Sequence, residues 1–130
     1  MILVTGGAFQ GKTEYARTQL GVPHEKILDG EDCSFDAVQN AECVKNYHQL
    51  IKRLLSSGVD PLDFTRRLCI ENPDAVILMD EIGCGIIPLE KAERLWREAA
   101  GRAGCIIAGQ AETVVRISCG IPVIIKGAFA

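Results

Sequence analysis

"MILVTGGAFQGKTEYA", residues 1–16, begins with an apolar, β-rich run and changes character at Gly6. Met1 to Thr5 has the composition of a short buried strand. Gly6 to Gly11 is a glycine-rich turn, and Lys12 to Leu20 reads as a helix stopped by Gly21 and Pro23. Gly6, four intervening residues, Gly11, Lys12 and Thr13 fit the pattern G-x-x-x-x-G-K-[ST]. A strand, such a turn and a helix in that order suit phosphate. Glycines let backbone N–H groups converge on phosphate oxygens where a Cβ would crowd them. The start of the following helix adds the positive end of its dipole.

The expected nucleotide cradle is therefore Gly6, Gly7, Ala8, Phe9, Gln10, Gly11, Lys12 and Thr13. Lys12 supplies a mobile cation for the β- and γ-phosphates of ATP or GTP, and Thr13 offers a hydroxyl to Mg²⁺. No N-K-x-D pattern is present to read guanine, so the two nucleotides are not distinguished. A phosphate loop also needs a carboxylate at the end of another buried strand. "AVILMDE", residues 75–81, is five apolar residues followed by two acids. Asp80 is placed to hold the metal. Glu81 could hold it through water, orient a substrate hydroxyl or accept its proton. A helix cap is the structural alternative for Asp80, and a solvated side chain for Glu81.

Working outward, Ile27 and Leu28 mark a weak strand. Apolar residues from Phe35 to Leu55, at steps of three and four, predict one long amphipathic helix capped by Ser34. Asp60 and Pro61 start a shorter helix that runs to about Cys69. "IGCGIIP" is a loop, and Pro88 opens a helix with Leu89, Ala92, Leu95, Trp96 and Ala99 on its inner face and a break at Gly101. "ETVVRIS" and "PVIIK" form two strands joined by Cys119, Gly120 and Ile121. The fold class is α/β, P-loop-like: a mostly parallel sheet flanked by helices, ending in a hairpin.

The chain's 130 residues fit one domain, 1–130. Apolar residues make up 48% and charged ones 24%, an ordinary globular balance. Net charge is −3 with no basic run, which argues against nucleic acid and against an anionic membrane surface. No apolar stretch approaches the roughly 18 residues of a membrane span, and the N-terminus carries no basic leader, so a cytoplasmic location is expected. Six cysteines form no C-x-x-C pair, and neither histidine stands at ligand spacing from one. They read as small reduced hydrophobes in or near the core. A small core with a long amphipathic helix and an alternating hairpin predicts a homo-oligomer.

Three stretches resemble the family of adenosylcobinamide kinase / adenosylcobinamide-phosphate guanylyltransferase, of cobalamin biosynthesis. They are "MILVTGGAFQGKTEYA", "DEIGCGIIPLEKAERLWREAAGRAG" and "VVRISCGIPVIIKG". The resemblance implies a P-loop α/β fold, an oligomer, and two steps. A nucleoside triphosphate phosphorylates the hydroxyl of a cobinamide. GTP then guanylylates an active-site histidine, which passes GMP to the new phosphate. Four departures stand out. "GEDCSFDAVQ" replaces the family's histidine-bearing H-x-x-x-R-P-like segment. A middle strand followed by a helix has no evident counterpart. Asp80 stands where the family usually has Asn, and Gly104 and Cys105 follow "AGR" where it usually has Asn-Gln. Of the two histidines, His24 reads as a loop residue and His48 as packed on the long helix, so neither is carried over as the guanylylated residue. Two other readings stay open: a regulatory nucleotide-binding module, and a kinase for another alcohol.

Overall fold

The computed structural model describes residues 1–82 and 90–128. Its elements are β1 (Ile2–Gly6), α1 (Lys12–Thr18), β2 (Ile27–Asp29), α2 (Phe35–Val38), β3 (Cys43–Lys45), α3 (Tyr47–Ser56), α4 (Pro61–Glu71), β4 (Val76–Asp80), α5 (Lys91–Gln110), β5 (Thr113–Ser118) and β6 (Ile121–Lys126). The strands make one six-stranded sheet in the order β2-β3-β4-β1-β5-β6. All pairs are parallel except β5 with β6, an antiparallel hairpin.

β4 lies inside the sheet and is covered on both faces, which is why its sequence is a continuous apolar run rather than an alternating one. Val76 to Met79 are all buried. Leu3, Ile77, Met79 and Val114 face one core, with Leu50, Ile51 and Leu54 of α3, Leu68 of α4, and Ala100, Ala103 and Ile107 of α5. Val4, Leu78, Val115 and Ile117 face the other, with Tyr15 and Ala16 of α1.

The two faces follow from handedness. The chain leaves β1 for the far edge at β2 with α1 on one face. It returns through β3, β4 and β5 with α2, α3, α4 and α5 contributing to the opposite core. Connections that run in opposite directions across a parallel sheet must carry their helices on opposite faces if each is right-handed. The reversal falls between β1 and β4, and the carboxyl ends of those strands open a crevice there. Parallel pairing sets Gly6 opposite Asp80.

The α/β class, the parallel sheet and the hairpin are as expected, but several elements differ. The expected helix from Phe35 to Leu55 is three elements: the short α2, the strand β3, and α3. Asn46, at φ 55°, turns the chain out of β3 and into α3. Asn is one of the few residues that visit the left-handed region readily. The middle strand and following helix that looked missing are thus present as β3 and α3. Gly101 does not break α5, which continues to Gln110. Its cost of about 1 kcal/mol relative to alanine is small beside the burial of Ala100, Ala103 and Ile107 on the same helix. The first helix stops at Thr18 rather than Leu20, and α4 reaches Glu71. The glycine-rich loop after Ile82, the opening of the next helix at Pro88, Leu89 and Cys84 lie outside the described residues.

Of the five described cysteines, Cys33 and Cys43 are buried and Cys69 half-buried, while Cys105 and Cys119 are exposed; all five are free thiols. Burial pushes the Cys43 thiol up to about 12, which keeps it protonated and inert. Among the described residues no helix is long and apolar enough to cross a membrane.

Candidate nucleotide site at the carboxyl ends of β1 and β4

Gly6 ends β1 at φ 146°, and a Cβ there would collide with the Ile117 carbonyl of β5. Only glycine lets the chain leave the sheet at this point. The loop then runs through Phe9, at φ 58°, to Gly11, at φ 100°. Phe9 projects its ring wholly into solvent at the mouth of the loop. Gln10 ties the loop to the β5–β6 turn. Its backbone carbonyl accepts the Gly120 N–H at 2.9 Å, and its side-chain oxygen accepts the Cys119 N–H.

Lys12 is the first residue of α1 and turns back under the loop. Its ammonium donates to the Gly7 carbonyl at 2.6 Å and pairs with Asp80 Oδ1 at 2.7 Å. The Lys12 side chain is 10% exposed and that of Asp80 18%. Coulomb attraction between partly buried charges is poorly screened, so Lys12 already holds an anionic group where the loop would present a phosphate. The loop, Lys12, Thr13, His48 and Asp80 line one cleft of about 630 Å³, whose far wall is Glu31, Asn46 and Gln49.

The far wall is set by Asp29 at the end of β2. Its Oδ1 accepts the Asn46 side-chain amide at 3.0 Å and the Glu31 N–H at 2.9 Å. Burial acts to raise the Asp29 pKa. The hydrogen bonds from Asn46 and Glu31, with the charges of Lys45 and Arg53, outweigh it and hold the carboxyl below its ordinary value.

His48 is the residue that sequence reasoning misplaced. It is buried, as expected, but not among apolar side chains alone. As the second residue of α3 it stands above the end of β4. There its Nδ1 accepts the Asp80 N–H at 3.1 Å, and its Nε2 lies 3.4 Å from Asp80 Oδ2. An accepting Nδ1 puts the proton of a neutral ring on Nε2. Burial lowers the His48 pKa; the Asp80 carboxylate opposes this, and Lys12 reinforces it. The indole N–H of Trp96 on α5 donates to the His48 carbonyl at 2.7 Å. His24 is exposed in a 3₁₀ turn, His24–Lys26.

Glu81 points the other way. Its backbone N–H donates to Gly6 O at 2.8 Å, which extends the β1–β4 pairing by one residue. Its carboxylate takes a two-pronged bond from Arg116 of β5, Nε to Oε1 at 2.9 Å and an Nη2 to Oε2 at 3.2 Å. A largely apolar cavity of about 410 Å³ adjoins it, between α5 and the ends of β1, β4 and β5. The structure therefore brings Lys12, Thr13 and Asp80 together and sets Glu81 on the opposite face. No motif pointed to Arg116. His48 would have been found had "CVK" been read as a strand.

The sequence pattern of the cobinamide kinase / cobinamide phosphate guanyltransferase family matches residues 60–125. That is just over half of the chain's 130 residues. The chain belongs to that family. The match includes Asp80, Glu81 and Arg116 and does not reach the glycine loop. The family is one of transferases of cobalamin biosynthesis that use nucleoside triphosphates, typically with Mg²⁺, on a cobinamide substrate. A search of curated proteins finds no match to the chain.

Proposed function

We propose that this protein transfers the γ-phosphoryl group of ATP or GTP to the hydroxyl of a cobinamide-like alcohol. One observation carries the reading: a lysine in a glycine loop and a carboxylate on the neighbouring strand meet in a single cleft, with Gly6 opposite Asp80. In this reading the loop amides and Lys12 bind the triphosphate, and Thr13 and Asp80 would hold Mg²⁺. The metal, when bound, neutralises charge on the phosphoryl oxygens. A new bond forms between the acceptor oxygen and the γ-phosphorus, the bond to the diphosphate breaks, and the acceptor proton leaves to a base. Glu81 faces away from this cleft, with both carboxylate oxygens on Arg116, so it can accept that proton or orient the hydroxyl only if the acceptor reaches in from the α5 side.

The test is turnover of γ-labelled ATP and GTP with and without cobinamide. Labelled phosphate on cobinamide is the expected result. Binding of triphosphate with no transfer to cobinamide or to any other alcohol would favour a regulatory nucleotide-binding module instead. Guanylyl transfer through histidine is a separate matter. Both ring nitrogens of His48 are directed at Asp80, and His24 lies outside the cleft's lining. Intact mass spectrometry after incubation with GTP and Mg²⁺ should therefore show only the unmodified chain. A GMP-sized, acid-labile adduct that disappears in His24→Ala or His48→Ala would restore the second step.

Self-association is also expected. Ile121, Val123 and Ile125 alternate along the edge strand β6 and are all exposed on one face. An edge strand with an apolar face is a ready surface for a second chain. Light scattering at micromolar concentration should give a multiple of the 14.1 kDa chain mass, and Val123→Lys should lower it. A monomeric mass for the unaltered protein would count against this.

A further inference from the structure

Asp80 has neighbours of different kinds at its two oxygens. Oδ1 holds Lys12, the group that a triphosphate must recruit. Oδ2 faces the Nε2 of His48 at 3.4 Å. The same imidazole accepts the Asp80 backbone N–H. One ring therefore bonds the main chain at the end of β4 and stands 3.4 Å from the carboxylate of the same residue. His48 is itself held: it is 4% exposed, and the Trp96 indole N–H donates to its main-chain carbonyl. Lys52 lies over the Trp96 ring at 4.6 Å from its centre, which holds the indole in place.

We infer that His48 is a positioning residue for Asp80. It keeps the carboxylate turned into the cleft when Lys12 leaves it for the triphosphate, so that Oδ1 is presented toward Mg²⁺. This rests on the phosphate-site reading above. The physical need is plain. A strand-end aspartate that loses one of two partners is free to rotate about its side-chain torsions, and an ordered carboxylate costs conformational entropy at the moment of metal binding. A partner that remains through the exchange removes that cost. Partners of metal-binding carboxylates typically change affinity or activity by about 10–100-fold when deleted.

Three variants separate positioning from packing. His48→Gln can keep a donor near the Nε2 position. His48→Asn can keep an acceptor near Nδ1. His48→Leu keeps only bulk. Each is checked for folding by circular dichroism, then for triphosphate affinity without Mg²⁺ by calorimetry, for the Mg²⁺ dependence of that affinity, and for kcat and KM. The expected result for His48→Leu is a metal-free affinity within about twofold of the unaltered protein. Its Mg²⁺ requirement should rise, and its kcat fall, by about 10-fold or more, with little change in the KM for nucleotide. His48→Gln should recover most of both losses, and His48→Asn much less. If the folded Gln and Leu variants behave alike, or if Leu leaves the Mg²⁺ dependence unchanged, the assignment is wrong. Should Leu fail to fold, the Gln–Asn comparison decides it, and equal behaviour of those two would overturn it. An unaltered protein that binds no triphosphate would overturn the phosphate site itself, and the assignment with it.

Discussion

Replacing Lys12 with alanine is expected to weaken triphosphate binding by roughly 10²-fold or more while leaving the fold intact. A hydrogen bond to a charged group contributes about 1.5–3 kcal/mol, and each 1.4 kcal/mol is a factor of ten in affinity. The loss does not end there. Lys12 also neutralises Asp80 at 2.7 Å, so its removal leaves a carboxylate facing incoming phosphates. The fold should survive because α1 packs through Tyr15 and Ala16, whereas the Lys12 ammonium bonds the Gly7 carbonyl and Asp80 at the loop. Calorimetric titration against ATP and GTP measures the loss, and a thermal melt checks the fold. Adding Asp80→Asn to Lys12→Ala should recover part of the affinity, since the repulsion goes with the charge. Unchanged affinity in a folded Lys12→Ala protein would refute the phosphate site.

Asp80→Asn alone should behave in the opposite way. The amide keeps the shape of the carboxylate and an oxygen for the His48 Nε2–H, but it no longer binds Lys12 as an ion. Metal-free triphosphate affinity should therefore hold or improve. Turnover at saturating nucleotide should fall by about 10²–10³-fold, the usual scale for losing one preorganised electrostatic group. Relatives with Asn at this position, as the resemblance suggests, make the Mg²⁺ titration the informative measurement. Full activity at limiting Mg²⁺ would leave Asp80 as a partner of Lys12 and nothing more.

The parts legible in the sequence are those where one element carries its own signal. β4 is buried on both faces, so "VILM" could be little else. The glycine loop was legible because the need for a Cβ-free backbone restricts which residues can stand there. β3 was illegible for a definite reason. Val38, Val44, Tyr47 and Ile51 belong to three different elements but face the same core, so their spacing imitated one helical stripe. No Gly or Pro stands between Phe35 and Leu55 to mark the breaks; Asn46 makes the decisive turn instead. The error propagated to the site. A histidine in mid-helix has no reason to meet Asp80, whereas one at the start of α3 follows directly on the carboxyl end of a strand. Arg116 was invisible for another reason: its partner Glu81 lies 35 positions away in sequence, and only the pairing of β1 with both β4 and β5 brings them together.

The tie between Gln10 and the β5–β6 turn has a consequence for the order in which the molecule can be made. β1 and its loop are synthesised before every other element of the sheet, yet β1 has no edge of its own. It sits between β4 and β5, and its loop is held from Cys119 and Gly120. Contacts between residues so far apart close late, because the intervening chain must be ordered before they are rewarded. During synthesis the glycine loop must therefore wait, unsupported, for β5 and β6 to arrive. A chain released before the hairpin leaves the Gln10 oxygens without these donors, and in the full-length chain the Cys119 and Gly120 N–H groups should gain protection from hydrogen exchange in the same step that seats β5.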